Sequence, residues 1–126
     1  MTSILLVEDD PFKASVHMSA LQKRFPDVCR VHDAAEALCL VEHRSFSSNL
    51  GLAITGSHLP DLAAPDFVAE IQARIPGLPV IVLGDPQVDA ESYRRENVRY
   101  LAGPTPAEEL VVAAQQMLAQ EGHKVA

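Results

Sequence analysis

The side chains that could do chemistry in this sequence gather at the ends of its apolar runs. Glu8-Asp9-Asp10 follows SILLV, Gly56-Ser57-His58-Leu59-Pro60 follows LGLAIT, and Gly84-Asp85-Pro86 follows PVIVL. In an open parallel sheet ligands collect just beyond the carboxyl ends of the central strands, so reactive groups are expected at such exits. The exits are unequally equipped. The first carries carboxylates, whereas the central one begins with Gly56, which has no side chain. His58 could join Asp9 in a transition-metal or pH-sensing site, or be an exposed loop histidine. Asp61 and Asp85 are further carboxylates close to these exits. Both stand in turn-forming Pro60-Asp61 and Asp85-Pro86 steps, where aspartate is favoured for local hydrogen bonding. Tyr93, Arg94, Arg95, Arg99 and Tyr100 form a basic, aromatic cluster, which reads either as a partner surface or as a solvated face. His17, His32, His43 and His123 show no ligand spacing.

These groups need elements to position them. Ser3–Val7, Val28–Val31, Leu50–Thr55, Pro79–Leu83 and Val98–Leu101 read as short strands. Asp10 is a good N-cap, with Pro11 at the first helical position, and the helix it opens ends at Pro26. Phe12, Val16 and Ala20 share one face of that helix and are expected to pack inward. Asp33-Ala34-Ala35-Glu36 opens a helix to about Arg44, with Ala37, Leu38 and Val41 inside. A third helix starts at Pro65, recurs through Phe67, Ile71 and Ile75, and stops at Pro76-Gly77. A weak, polar helical pattern covers Gln87–Asn97. Thr105-Pro106-Ala107-Glu108 reads as a capping box for a helix to about Gln120, with Leu110, Ala114, Met117 and Leu118 inside. Five alternations of strand and helix predict an α/β fold. Its doubly wound, flavodoxin-like parallel sheet has order 2-1-3-4-5 and helices on both faces.

Together, ILLVEDD, DAAEAL, the central strand before LPD, LPVIVL, and RYLAGP before a capped helix resemble the receiver domain of two-component response regulators. The resemblance spans nearly the whole chain and implies phosphoryl transfer to an aspartate. In that family an acidic pair after the first strand holds Mg²⁺, and Glu8 and Asp9 match it. The other positions depart from the pattern. Gly56 stands where the family has its nucleophilic aspartate, Gly84 where it has Thr or Ser, and Gly103 where it has lysine. The aromatic switch residue is retained as Tyr100, and Pro104 matches a proline whose preceding bond is usually cis in the family.

An acyl phosphate needs a carboxylate nucleophile, and the transferring group needs a cation. With glycine at all three positions the resemblance implies a pseudo-receiver, degenerate at the phosphorylation site, with at most weak residual Mg²⁺ binding at Glu8 and Asp9. Losing the aspartate and the lysine together leaves the charge of the pocket roughly unchanged. Deleting one partner of a buried ion pair would instead cost about 3–5 kcal/mol. A hollow is expected beside Glu8 and Asp9.

The chain's 126 residues suit a single receiver-like domain, 1–126. Its net charge of -7 argues against direct contact with nucleic acid. No apolar run approaches a membrane span, so a cytoplasmic location is expected. Cys29 and Cys39 lack metal or redox spacing and are expected to be small, reduced core residues. The functional expectation is a non-enzymatic signalling module acting by protein–protein contact, with a partner protein or as a homodimer. The alternatives are a phosphorylatable receiver using Asp61 or Asp85, and a ligand or metal site in the emptied pocket.

Overall fold

The computed structural model describes residues 2–84, 93 and 97–125, with 120–125 as helix backbone. Five strands, β1 (Ser3–Val7), β2 (Val28–Val31), β3 (Leu50–Gly56), β4 (Val80–Gly84) and β5 (Val98–Ala102), form one parallel sheet in the order β2-β1-β3-β4-β5. The described helices are α1 (Pro11–Gln22), α2 (Ala34–Val41), the single-turn α3 (Arg44–Ser47), α4 (Ala64–Arg74) and α5 (Ala107–Val125). The expected sheet order holds, and the sequence-based strand bounds agree to within one residue. The expected helix over Gln87–Asn97 lies, apart from Tyr93 and Asn97, outside the described residues.

Strand periodicity divides the core. Side chains alternate across a strand, so Leu5 and Val7 enter a cluster with Phe67, Val68 and Ile71 of α4. Ile4 and Leu6 enter the opposite cluster, with Leu21 of α1 and Leu110, Ala114 and Met117 of α5. On β4, Val80 and Val82 face the first cluster and Ile81 the second. β3 breaks this parity once. Ser3 pairs with Leu50 and Ile4 with Leu52, so Gly51 is an extra residue on β3. Leu50 therefore faces the α4 side while Leu52 and Ile54 face the α1 and α5 side. A Cβ at Gly51 would collide with the Thr2 methyl, so glycine is the residue the bulge accommodates.

Three expectations about the helices and core are corrected. On α1 the inward residues are Ala14 and Leu21, with Met18 against them, whereas Phe12 is 76% exposed and Val16 43%. Both stripes have helical spacing; where α1 meets the sheet and α5, small Ala14 faces inward instead of bulky Phe12. The Thr105 capping box does not form. The first turn of α5 bonds to the Pro106 carbonyl, from the Glu109 and Leu110 amides, and the buried Thr105 hydroxyl has no hydrogen-bond partner among the described residues. The cysteines are not core residues either: Cys39 is exposed on α2 and Cys29 half-buried on β2.

Other caps match their sequence signals. The Asp10 carboxylate accepts from the Phe12 and Lys13 amides, at 2.9 and 3.3 Å, at the start of α1. Asp33 accepts from the Glu36 amide at 2.8 Å. Beyond α4, Gly77 has φ +81°, a left-handed conformation that glycine reaches without a Cβ penalty. No helix among the described residues is long and apolar enough to cross a membrane.

Candidate functional site

The carboxyl ends of β1, β3 and β4 and the loop after β5 enclose a cavity of about 600 Å³. Glu8 and Asp9 stand on one side, Gly56 and His58 on the floor and rim, and Gly84 and Gly103 opposite. The expected hollow is present, but the three glycines do not contribute to it equally.

Gly56 is the open one. Among the described residues a Cβ built there meets only the Glu8 carboxylate, at 3.6 and 3.9 Å from its oxygens, which is ordinary contact. Gly84 is filled from above. A Cβ at that position would collide with the Tyr100 ring and hydroxyl, so the tyrosine occupies the space of the absent side chain. Gly103 is a close backbone approach. Its amide donates to the Gly84 carbonyl at 2.5 Å, and a Cβ at 103 would lie 2.5 Å from that oxygen. At 84 and 103, glycine is the residue that this packing requires.

The acidic side is built on the backbone after β1. The Glu8 amide donates to the Val31 carbonyl at 3.0 Å, and the Arg30 guanidinium donates twice to the Glu8 carbonyl, at 3.0 and 2.8 Å. Arg30 therefore clamps the turn that carries Glu8 and Asp9, a role that its place within a short strand did not announce. The Glu8 side chain is 7% exposed, and one carboxylate oxygen accepts from the Asp10 amide at 3.2 Å. Burial pushes its pKa up from the ordinary value of 4.5, Asp9 adds to that, and the Asp10 amide and Lys13 oppose it. Asp9 is exposed at the cavity mouth.

Two residues of α1 line the cavity that the sequence reading did not select, Lys13 and His17. Lys13 sets one positive charge against Glu8, Asp9 and Asp10. Burial first, and then Lys13, lowers the His17 pKa from 6.5. A signal was available, since residues 13 and 17 are one helical turn apart just beyond the Asp10 cap.

The expected alternative acids fare differently. Asp61 lies outside the cavity lining and is committed elsewhere: its two oxygens accept from the Ala34 and Ala35 amides, at 3.0 and 2.8 Å. Its bonding is thus tertiary, to residues 26 and 27 positions away, where the sequence suggested a local turn. Those amide bonds hold its carboxyl below the ordinary 3.8. Asp85 lies outside the described residues. His58 is exposed on the rim, in keeping with the plain loop reading.

The described members of the basic, aromatic cluster do not form one surface. Tyr93 is 3% exposed and belongs to the core on the α4 side, so it is corrected from surface anchor to core residue. Its ring stacks on Tyr100 with centroids 5.1 Å apart and planes at 19°. Burial, and then Tyr100, raise the Tyr93 phenol's pKa. Arg99 is exposed and donates to the Gln116 amide oxygen of α5 at 2.6 Å. Arg94 and Arg95 lie outside the described residues.

Among the described residues no three His, Cys, Asp or Glu side chains are placed together to hold a metal ion. Among the described cavity-lining residues there is no carboxylate beyond Glu8, Asp9 and Asp10, and Asp10 is engaged as the α1 cap.

No protein-family model matches the sequence, and no curated protein matches it. Solved structures do match, over nearly the full chain. A response regulator receiver domain protein from Clostridium thermocellum aligns with a TM-score of 0.84 at 20% identity, covering 97% of this chain and 98% of that one. A two-component transcriptional regulator AraC from Clostridium phytofermentans aligns at 0.82 and 19% identity, covering 99% and 98%. The signal receiver domain of an HD domain-containing protein from Pseudomonas fluorescens Pf-5 aligns at 0.79 and 26% identity, covering 98% and 90%. The chain has the fold of response-regulator receiver domains.

Proposed function

We propose that this chain is a receiver-like signalling module that works without aspartyl phosphorylation, as a non-enzymatic partner of another protein or of a second copy. The observation that carries this reading is the open space above Gly56, with only the Glu8 carboxylate, among the described residues, within 4 Å of where a Cβ would stand. A phosphoryl acceptor at the centre of the sheet needs a nucleophile there, and glycine offers none. The packing of Gly84 and Gly103 supports the same reading. The space of a hydroxyl residue at 84 is taken by Tyr100, and a lysine side chain at 103 would meet the Gly84 carbonyl. The engagement of Asp61 with two helix amides speaks against its acting as a displaced acceptor.

Incubation with a small-molecule phosphodonor and Mg²⁺, followed by intact mass, tests this. No adduct is expected. A stoichiometric adduct, stable in acid and labile in base, overturns it, and loss of that adduct in Asp85→Asn or Asp61→Asn would assign the acceptor.

A further inference from the structure

We propose that the absent side chain at Gly84 locks Tyr100 in a single inward position, so that the β4–β5 end of the sheet has one stable arrangement. Val82 pairs with Tyr100 across the two strands and Gly84 lies two residues further on, so residues 82, 84 and 100 share a face. The Tyr100 side chain leans along the strand onto Gly84, and its hydroxyl and ring carbons take the position a Cβ would need. The ring packs against the core cluster on the α4 side, and its neighbour there is Tyr93, stacked at 5.1 Å. The Gly84 carbonyl is meanwhile held by the Gly103 amide. Residue 84 is thereby pinned from two directions, by a ring on its α-carbon and by a backbone bond on its oxygen.

Side chains occupy discrete rotamers, so the competition for this volume has two outcomes and no continuum. With no Cβ at residue 84 the inward position is open and the ring is held in it by Tyr93 and the α4-side core; with one, the ring must take another rotamer. A ring that leaves also gives up its stacking on Tyr93. Any partner that reads this end of the sheet therefore meets the same surface at all times. This inference concerns packing alone and does not depend on whether the chain accepts phosphate.

The chain has two tyrosines and no tryptophan, so its near-ultraviolet circular dichroism reports chiefly on this stacked pair. In Gly84→Ala we expect the tyrosine band to weaken, with far-ultraviolet signal retained, and nitration of Tyr100, mapped by mass spectrometry, to become several-fold faster than in the wild type. Gly84→Ala should also lower the urea midpoint, whereas adding the same substitution to Tyr100→Ala should lower it far less. Should Gly84→Ala fail to fold, the double variant with Tyr100→Ala should fold. An unchanged band and nitration rate in folded Gly84→Ala would overturn the lock. So would an equal drop of the urea midpoint in both backgrounds, or a double variant that stays unfolded.

Discussion

Placing a carboxylate in the open corner of the cavity tests how that corner is built. In Gly56→Asp the new Cβ stands 3.6 and 3.9 Å from the two Glu8 oxygens and, among the described residues, meets only that carboxylate, so it is accommodated at ordinary contact distance. What changes is charge. Two carboxylates about 4 Å apart repel by about 1 kcal/mol in bulk water and about 4 kcal/mol at the effective dielectric of a protein boundary. Asp9 adds to this and Lys13 subtracts from it, so a loss of about 1–4 kcal/mol is expected at neutral pH in chelator. Gly56→Asn presents nearly the same shape without charge and serves as the reference. Urea denaturation should place the asparagine variant near the wild type and the aspartate variant well below it. Two further signatures separate repulsion from misfit. The deficit should shrink as the pH falls toward the ordinary carboxylate range, because the pair then shares a proton. It should also shrink in millimolar Mg²⁺, because the variant offers a third oxygen donor. Equal midpoints for the two variants in chelator at neutral pH would refute the placement of Glu8 over Gly56.

Other outcomes follow from the same geometry. Because the folded-state pKa of Glu8 is raised above 4.5, the fold binds its proton more tightly than the unfolded chain does; the associated stability is full below 4.5 and lost as pH rises through the folded value. Glu8→Gln keeps an acceptor for the Asp10 amide, so it should equal the wild type in acid and exceed it at neutral pH, and an unchanged pH slope in denaturant melts would contradict this. For Asp61 the sign is reversed: its folded pKa lies below 3.8, so its contribution is present above 3.8 and lost as pH falls through the folded value. Asp61→Ala should therefore lower the urea midpoint at neutral pH and converge with the wild type in strong acid, and it should raise amide exchange at Ala34 and Ala35. Phe67→Ala, at a fully buried site, should lose about 3–5 kcal/mol in chemical denaturation, whereas Phe12→Ser, at a residue 76% exposed, should stay within about 0.5 kcal/mol of the wild type.

Much of the scaffold was legible in the sequence because its signals are local. A strand such as Ser3–Val7, buried on both faces, declares itself as an uninterrupted apolar run. Asp10 before Pro11, and Asp33 three residues before Glu36, mark helix starts through bonds that span only a few residues. The alternation of such elements, with the usual handedness of crossovers, leaves few sheet orders to choose from. Which residues stand at the strand exits, and that Gly56 brings no side chain there, are likewise matters of sequence alone.

Contacts between distant residues were decided only by the tertiary structure. Phe12 and Ala14 both lie on apolar helical stripes, and only the packing of α1 against the sheet and α5 chose between them. Asp61 looked like a turn residue because its partners, the amides of Ala34 and Ala35, come from another segment. Glycine's meaning is the clearest case. Three identical residues read alike in sequence, yet Gly56 borders open space, Gly84 lies beneath an aromatic ring, and Gly103 touches a carbonyl. A missing side chain has no periodicity and no charge, so what it leaves room for is set by whatever the fold brings against it.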